Sequence, residues 1–211
     1  RAQSVEELFT WIDSQAAEHP EYQKWKKPLV QWAQLTGPAD THSKLAYGLN
    51  SGANGYLIDL EDALNKRKTL ISLRNIRQAV NEEQAFLETE TKMKTEGKLT
   101  ADHDISRWPL MIPRPSALHL DDEYVLVDGV KISASVIDTV ALILQNAQAW
   151  RERHQQDPHL YVPKINSFGE AVVWDKILSM AEDKAGLERN TIKVQLMVER
   201  VWEMAELEEV M

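Results

Sequence analysis

One pattern limits what this chain can fold into: five short apolar runs, four of them closing on charge, separated by longer stretches with helical spacing. The runs fall at 29–35, 55–60, 109–113, 160–163 and 192–198. Most are apolar at successive positions, as expected of strands buried on both faces. Between them the spacing predicts helices after Asp62, over 135–153, over 167–185, and from about Trp202 to the end. Strand then helix, repeated, predicts a parallel α/β architecture. Ahead of it Ser4-Val5-Glu6-Glu7 forms a capping box, with Leu8, Trp11 and Ile12 at helical spacing, so a first helix is expected to about Pro20. The organisation read from this is an N-terminal helical segment over 1–26 and an α/β domain over 27–211. The stretch 87–107, charged, carrying Gly97 and without clear periodicity, is expected to be a polar excursion or mobile loop.

Charge and composition remove whole classes of function. Asp and Glu number 33 against 24 Lys and Arg, a formal charge of -9, which repels phosphate backbones and anionic lipid surfaces; neither nucleic acid nor membrane is an expected partner. The most apolar stretch, 132–150, is interrupted by Asp138, Gln145, Asn146 and Gln148, and Arg1 to Ser4 lack a signal-peptide core. Cytoplasm is the default location, with a targeting segment before Arg1 left open. With no cysteine, disulfides, thiolate metal sites and a cysteine nucleophile are excluded, so any metal must use oxygen or imidazole ligands.

The chemistry gathers where the strands end. Asp59, Glu61 and Asp62 follow the second run, Arg114 the third, Lys164 the fourth and Glu199 the fifth. Parallel strands point one way, so these residues converge on a single rim, the face on which barrel active sites are built. Charged strand ends also form plain structural ion pairs. The chemical alternative is a hard divalent cation held by carboxylates, with Arg114 beside it for a developing oxyanion. Magnesium suits oxygen donors better than zinc does, and none of the six histidines forms an i, i+4 pair. Gly48, Gly52 and Gly55 precede their strand instead of following it, so they are read as a loop and not as a phosphate turn. The seven tryptophans read as core, and the acidic end around Glu203, Glu206, Glu208 and Glu209 as the wet face of a helix.

Set in order, these segments resemble one family. Leu35-Thr36-Gly37-Pro38 and Gly48-Leu49-Asn50-Ser51-Gly52-Ala53, running into Ile58-Asp59-Leu60-Glu61-Asp62, are similar to the entry of the malate synthase barrel with its Asp-x-Glu-Asp motif. Arg114-Pro115-Ser116-Ala117-Leu118-His119-Leu120 with Val125-Leu126-Val127-Asp128-Gly129 resembles the family's arginine segment. Leu160-Tyr161-Val162-Pro163-Lys164, then Glu170, Ala171 and Trp174, and finally Thr191-Ile192-Lys193 through Glu199 resemble its next two strands. The resemblance implies a (β/α)8 TIM barrel, of which this chain supplies about five strands after the N-terminal helix.

It also implies a magnesium-dependent Claisen condensation in the glyoxylate cycle, in which acetyl-CoA adds to glyoxylate and malyl-CoA is hydrolysed to malate and CoA. By resemblance Arg114 stabilises the enolate and the substrate oxyanion, Glu199 ligates Mg2+, Asp59 and Glu61 orient the metal waters and Arg114, and Asp62 and Lys164 are further candidates. Two departures stand out: Ser116 and Ala117 replace an arginine and a glycine, and Ile137-Asp138-Thr139 replaces Phe-Asp-Phe. They leave room for a malyl-CoA or citrate-lyase-like carbon-carbon lyase or aldolase acting on a related acyl-CoA and 2-oxo acid. The family's second acidic ligand, glyoxylate loop and catalytic base correspond to positions beyond Met211, so the missing strands are expected from a C-terminal continuation or a second chain. A non-catalytic half-barrel subunit is the remaining alternative.

Overall fold

The computed structural model describes residues 33–197. The expected N-terminal helix, the boundary near residue 26, the helix from Trp202 and the ligand candidate Glu199 lie outside the described residues. The elements run β1 (Gln34–Gly37), α1 (His42–Leu49), β2 (Gly55–Asp59), α2 (Thr69–Val80), α3 (Gln84–Thr95), β3 (Leu110–Arg114), β4 (Asp121–Val127), β5 (Val130–Ser133), α4 (Ala134–Glu152), β6 (His159–Val162), α5 (Phe168–Ala185) and β7 (Lys193–Leu196).

Local chemistry sets several of these boundaries. Thr41 caps α1, its hydroxyl accepting from the Lys44 amide at 3.2 Å. Ser167 caps α5 in the same way, and the Glu170 carboxylate reaches back to the Asn166 amide at 2.6 Å. β4 and β5 form an antiparallel hairpin whose turn residues, Asp128 and Gly129, sit at φ 52° and 77°, the left-handed region that an Asp-Gly hairpin turn requires.

β1, β2 and β3 pair in parallel, as do β6 and β7, while β3 runs beside β6. The order around the sheet is therefore the order in the chain, which is the arrangement of a TIM barrel, present here as a partial barrel. Alternation along each strand sorts its side chains onto two faces. Ile58, Met111 and Leu160 join the large core beneath the helices, together with Leu45, Ile76, Phe86, Leu142 and Trp150. Leu57, Ile112 and Tyr161 point the other way and pack together as one layer of the barrel interior.

Each of the five expected strands has a counterpart among the described residues, although positions 29–32 of the first run lie outside them and β7 is largely exposed instead of buried on both faces. β1 ends at Gly37 instead of residue 35, and Leu35 is 41% exposed, so this strand is not buried on both faces as β2 is. The helix expected after Asp62 begins only at Thr69, behind a 3-10 turn over Lys66–Lys68.

Three local readings change. Gly48 lies inside α1 and not in a loop; the position demands glycine because a Cβ there would stand 2.2 Å from the Tyr56 ring. The excursion 87–107 does sit between α2 and β3, but its first part continues α3, which buries Phe86, Glu90 and Met93. Those three follow an i, i+4, i+7 spacing that the polar Glu90 disguises. The hairpin of β4 and β5 was not expected at all, although Asp128-Gly129 is its signal. Among the described residues no helix is long and apolar enough to cross a membrane.

Candidate active site at the β2–β3 rim

Register and alternation together bring the acids and the arginine into contact. Asp59 follows Leu57 by two residues and Arg114 follows Ile112 by two, so both side chains turn to the interior face, and the ladder sets Asp59 opposite Arg114. The guanidinium grips the carboxylate with two donors, Nε to Oδ1 at 2.9 Å and Nη2 to Oδ2 at 2.7 Å. Asp59 also accepts from the amides of Glu61 and Ala63, each at 2.8 Å, which folds the chain sharply at the strand end. Both of its oxygens are thereby committed.

The neighbouring acids close around two cations. Arg114 Nη2 donates to Asp62 Oδ2 at 3.0 Å, and Lys164 Nζ donates to Glu61 Oε1 at 3.0 Å and Asp62 Oδ1 at 3.3 Å. Lys164 holds a left-handed backbone, φ 51°, just past β6, a conformation that costs a non-glycine residue energy and is common where a side chain must be aimed. The Arg114 guanidinium also lies over the Tyr161 ring, 5.9 Å from its centroid. Tyr161 is the member of this group that sequence reading missed; its alternation with the inward Leu57 and Ile112 positions was the available signal.

Two polar atoms are left over. Among the described residues Glu61 Oε2 is buried without a hydrogen-bond donor, and Arg114 Nη1 stands 3.9 Å from it. That Nη1 approach is the only polar contact of the third guanidinium nitrogen within the cluster. Burial would raise the carboxyl of Asp59, but the Arg114 hydrogen bonds and the two amides outweigh it and hold the group below its ordinary value. Burial likewise opposes the charge on Arg114, and Asp59 more than restores it. For Lys164 the bond to Glu61 comes first and raises its pKa. Asp59, Arg114 and Lys164 are therefore held in their charged forms, and Asp59 is an anchor instead of a base.

Of the six candidate residues, the fold gathers Asp59, Glu61, Asp62, Arg114 and Lys164 into one network, while Glu199 lies outside the described residues. Among the described residues no three His, Asp or Glu side chains are set to hold a metal. The donor chemistry nevertheless suits magnesium at one point, the unsatisfied oxygen of Glu61. Ser116 and Ala117, where the resemblance places arginine and glycine, are 3% and 0% exposed and bring no charge to the mouth.

The family described as "Malate synthase, TIM barrel domain" matches residues 110–211. Malate synthase from Dictyostelium discoideum is 27% identical over 180 residues, covering 84% of this chain and 31% of that protein. The chain is a relative of the malate synthases. Malate synthase A of Escherichia coli (strain K12) is 29% identical over 84% of the chain and 32% of its own length, and the bifunctional glyoxylate cycle protein of Caenorhabditis elegans 30% identical over 84% and 18%. This malate synthase relative thus spans about a third or less of the curated proteins it matches.

Proposed function

We propose that this chain carries the arginine-bearing and acid-bearing part of a malate synthase site, which condenses acetyl-CoA with glyoxylate and hydrolyses the product to malate and CoA. The observation that carries the reading is the Asp59–Arg114 fork, which leaves one guanidinium nitrogen beside an unsatisfied carboxylate oxygen at the rim of a parallel barrel.

The residues divide the work. Arg114, held by two donors and seated over Tyr161, presents Nη1 to a developing oxyanion without having to reorganise. Asp59 fixes the angle of that guanidinium and takes no proton, because its carboxyl is held below the ordinary range. Magnesium, when bound, would supply positive charge to polarise the glyoxylate aldehyde, with Glu199 as the ligand this chain offers it and Glu61 Oε2 as the acceptor that would orient its waters. Asp62 and Lys164 steady Glu61 and Arg114 from the solvent side. The layer of Leu57, Ile112 and Tyr161 below keeps water from the underside of the fork.

A second reading, a lyase or aldolase acting on a related acyl-CoA and 2-oxo acid, is favoured by one observation: the buried, uncharged Ser116 and Ala117. The deciding measurement is magnesium-dependent thiol release from acetyl-CoA with glyoxylate, made on this chain and on any longer form of it. Turnover supports the condensation; cleavage of malyl-CoA without condensation moves the assignment to the lyase. In an active form, Arg114→Lys should lower kcat on the order of a hundredfold or more, because an ammonium cannot reproduce the fork of donors. A near-native kcat would remove Arg114 from this role.

A further inference from the structure

Arg114 is fixed from one side by β2: Asp59 grips its side chain, and its carbonyl accepts from the Leu60 amide at 3.1 Å. What fixes the chain on its other side is not at the strand end at all. Pro115 has no amide hydrogen, so the first donor after the arginine is the amide of Ser116. That amide is buried and donates to Asp138 Oδ2 at 2.9 Å, one turn into α4. The Asp138 side chain reaches it from a residue with 0% exposure.

The same end of α4 holds the rest of the arginine segment. The Ser133 hydroxyl, next to Ser135 Oγ at 2.6 Å, donates to the Leu118 carbonyl at 2.7 Å, and the Ala134 amide donates to the Leu120 carbonyl at 2.7 Å. Leu120 in turn donates to the Ala117 carbonyl at 3.1 Å and closes the segment into a turn. Arg114 thus sits between two anchors. One is the acidic motif of β2, and the other is the start of a helix that contributes no side chain to the ion-pair network.

We propose that Asp138 is a positioning residue for Arg114: by taking the Ser116 amide it sets the direction in which the chain leaves β3, and with it the angle at which the guanidinium meets Asp59. This rests on the reading of Arg114 as the oxyanion-stabilising group. A carboxylate makes a stronger bond to an amide than a neutral acceptor does, which suits a tether that must not swing while charge develops 2 residues away in sequence.

The test reads Arg114 directly and needs no turnover. In the 15N-labelled chain, hydrogen exchange is followed at the Arg114 Nε–H and the Ser116 amide, with the Ile192 amide, which Glu182 Oε1 accepts at 2.9 Å, as the reference for general loosening. Asp138→Ala should speed exchange at both Arg114 Nε–H and Ser116 by about tenfold, the factor of one hydrogen bond to a charged group, and leave Ile192 unchanged. Asp138→Asn, which keeps an acceptor of the same shape, should restore most of the protection. If Asp138→Ala does not fold, Asp138→Asn alone decides, with an expected rise of roughly threefold at Arg114 for the weaker neutral bond. Unchanged Arg114 exchange in a folded variant overturns the proposal, and so does a rise shared equally by Ile192. Failure of the thiol-release assay would remove the catalytic reading while leaving this tether intact, so the two results fail separately.

Discussion

The molecule builds two charged clusters from similar parts, and they differ in how their carboxylates are satisfied. At the rim, Asp59, Glu61 and Asp62 meet Arg114 and Lys164. In the excursion before β3, His103 lies between Glu82, at 3.0 Å, and Glu90, while Arg153 pairs with Glu82 at 3.1 Å and Asn50 donates to Glu90 at 2.8 Å. His103 meets the edge of Trp108, and His154 stacks on the same ring. In the excursion cluster the carboxylates of Glu82 and Glu90 each bind two partners, and the cluster joins α1, α3 and the end of α4 as a structural clamp. At the rim Glu61 Oε2 is buried with no hydrogen bond among the described residues. In the clamp the buried atoms without a hydrogen bond among the described residues, Trp108 Nε1 and His154 Nδ1, are ring nitrogens; at the rim it is a carboxylate oxygen, the kind of donor atom a hard cation takes.

The comparison can be broken most sharply at Arg114. Arg114→Ala leaves Asp59, 1% exposed, as a buried charge without its partner, and should lower stability by about 3–5 kcal/mol in urea unfolding. In the excursion, His103→Gln should cost less, about 1–3 kcal/mol, because Glu90 keeps Asn50. A larger loss at His103 than at Arg114 would reverse the ranking of the two clusters.

Acidity separates the clusters in sign. The Asp59 carboxyl is held below 3.8 in the fold, so its contribution is complete above 3.8 and disappears as pH falls through the lowered value. Burial works against the charge on His103, but Glu82 and Glu90 prevail and raise it above 6.5; its contribution is complete below 6.5 and fades as pH rises through the raised value. Unfolding measured across pH should show an acid-side loss absent from Arg114→Ala and a loss above 6.5 absent from His103→Gln. A wild-type chain flat across both windows would contradict both assignments.

The smallest change in stability should come from Glu61→Gln, under about 1 kcal/mol, since Lys164 is partly exposed and the amide keeps an oxygen for it. Its magnesium affinity should nonetheless drop on the order of tenfold, as for other groups that support a metal through its waters. An unchanged affinity, in a form of the protein that binds magnesium, would mean that the unsatisfied oxygen has another explanation.

What the sequence revealed follows from the same contrast. The rim was legible because β2, β3 and β6 are apolar at nearly every position, so Asp59, Arg114 and Lys164 announce where each strand ends. The excursion was not, because α3 buries Glu90 in the middle of its apolar face and the partners of His103 come from positions 82, 90 and 108, too far apart in sequence to form a local pattern. Asp138 stood out only as a break in an apolar stretch and as the centre of Ile137-Asp138-Thr139; its task was hidden because it serves a backbone amide, and no residue pattern marks which amide a carboxylate will find. Tyr161 was hidden within an apolar run, where its role as a floor for Arg114 appears only once the strand faces are sorted.

The close approach of α1 to β2 has a consequence for how this chain can change over time. A methyl group at position 48 would stand 2.2 Å from the Tyr56 ring, and the ring in turn reaches the Pro38 carbonyl at the end of β1. Neither residue is free to drift alone. In diverging relatives the two positions should be inherited as a pair, a side chain appearing at one only where the ring has been lost at the other.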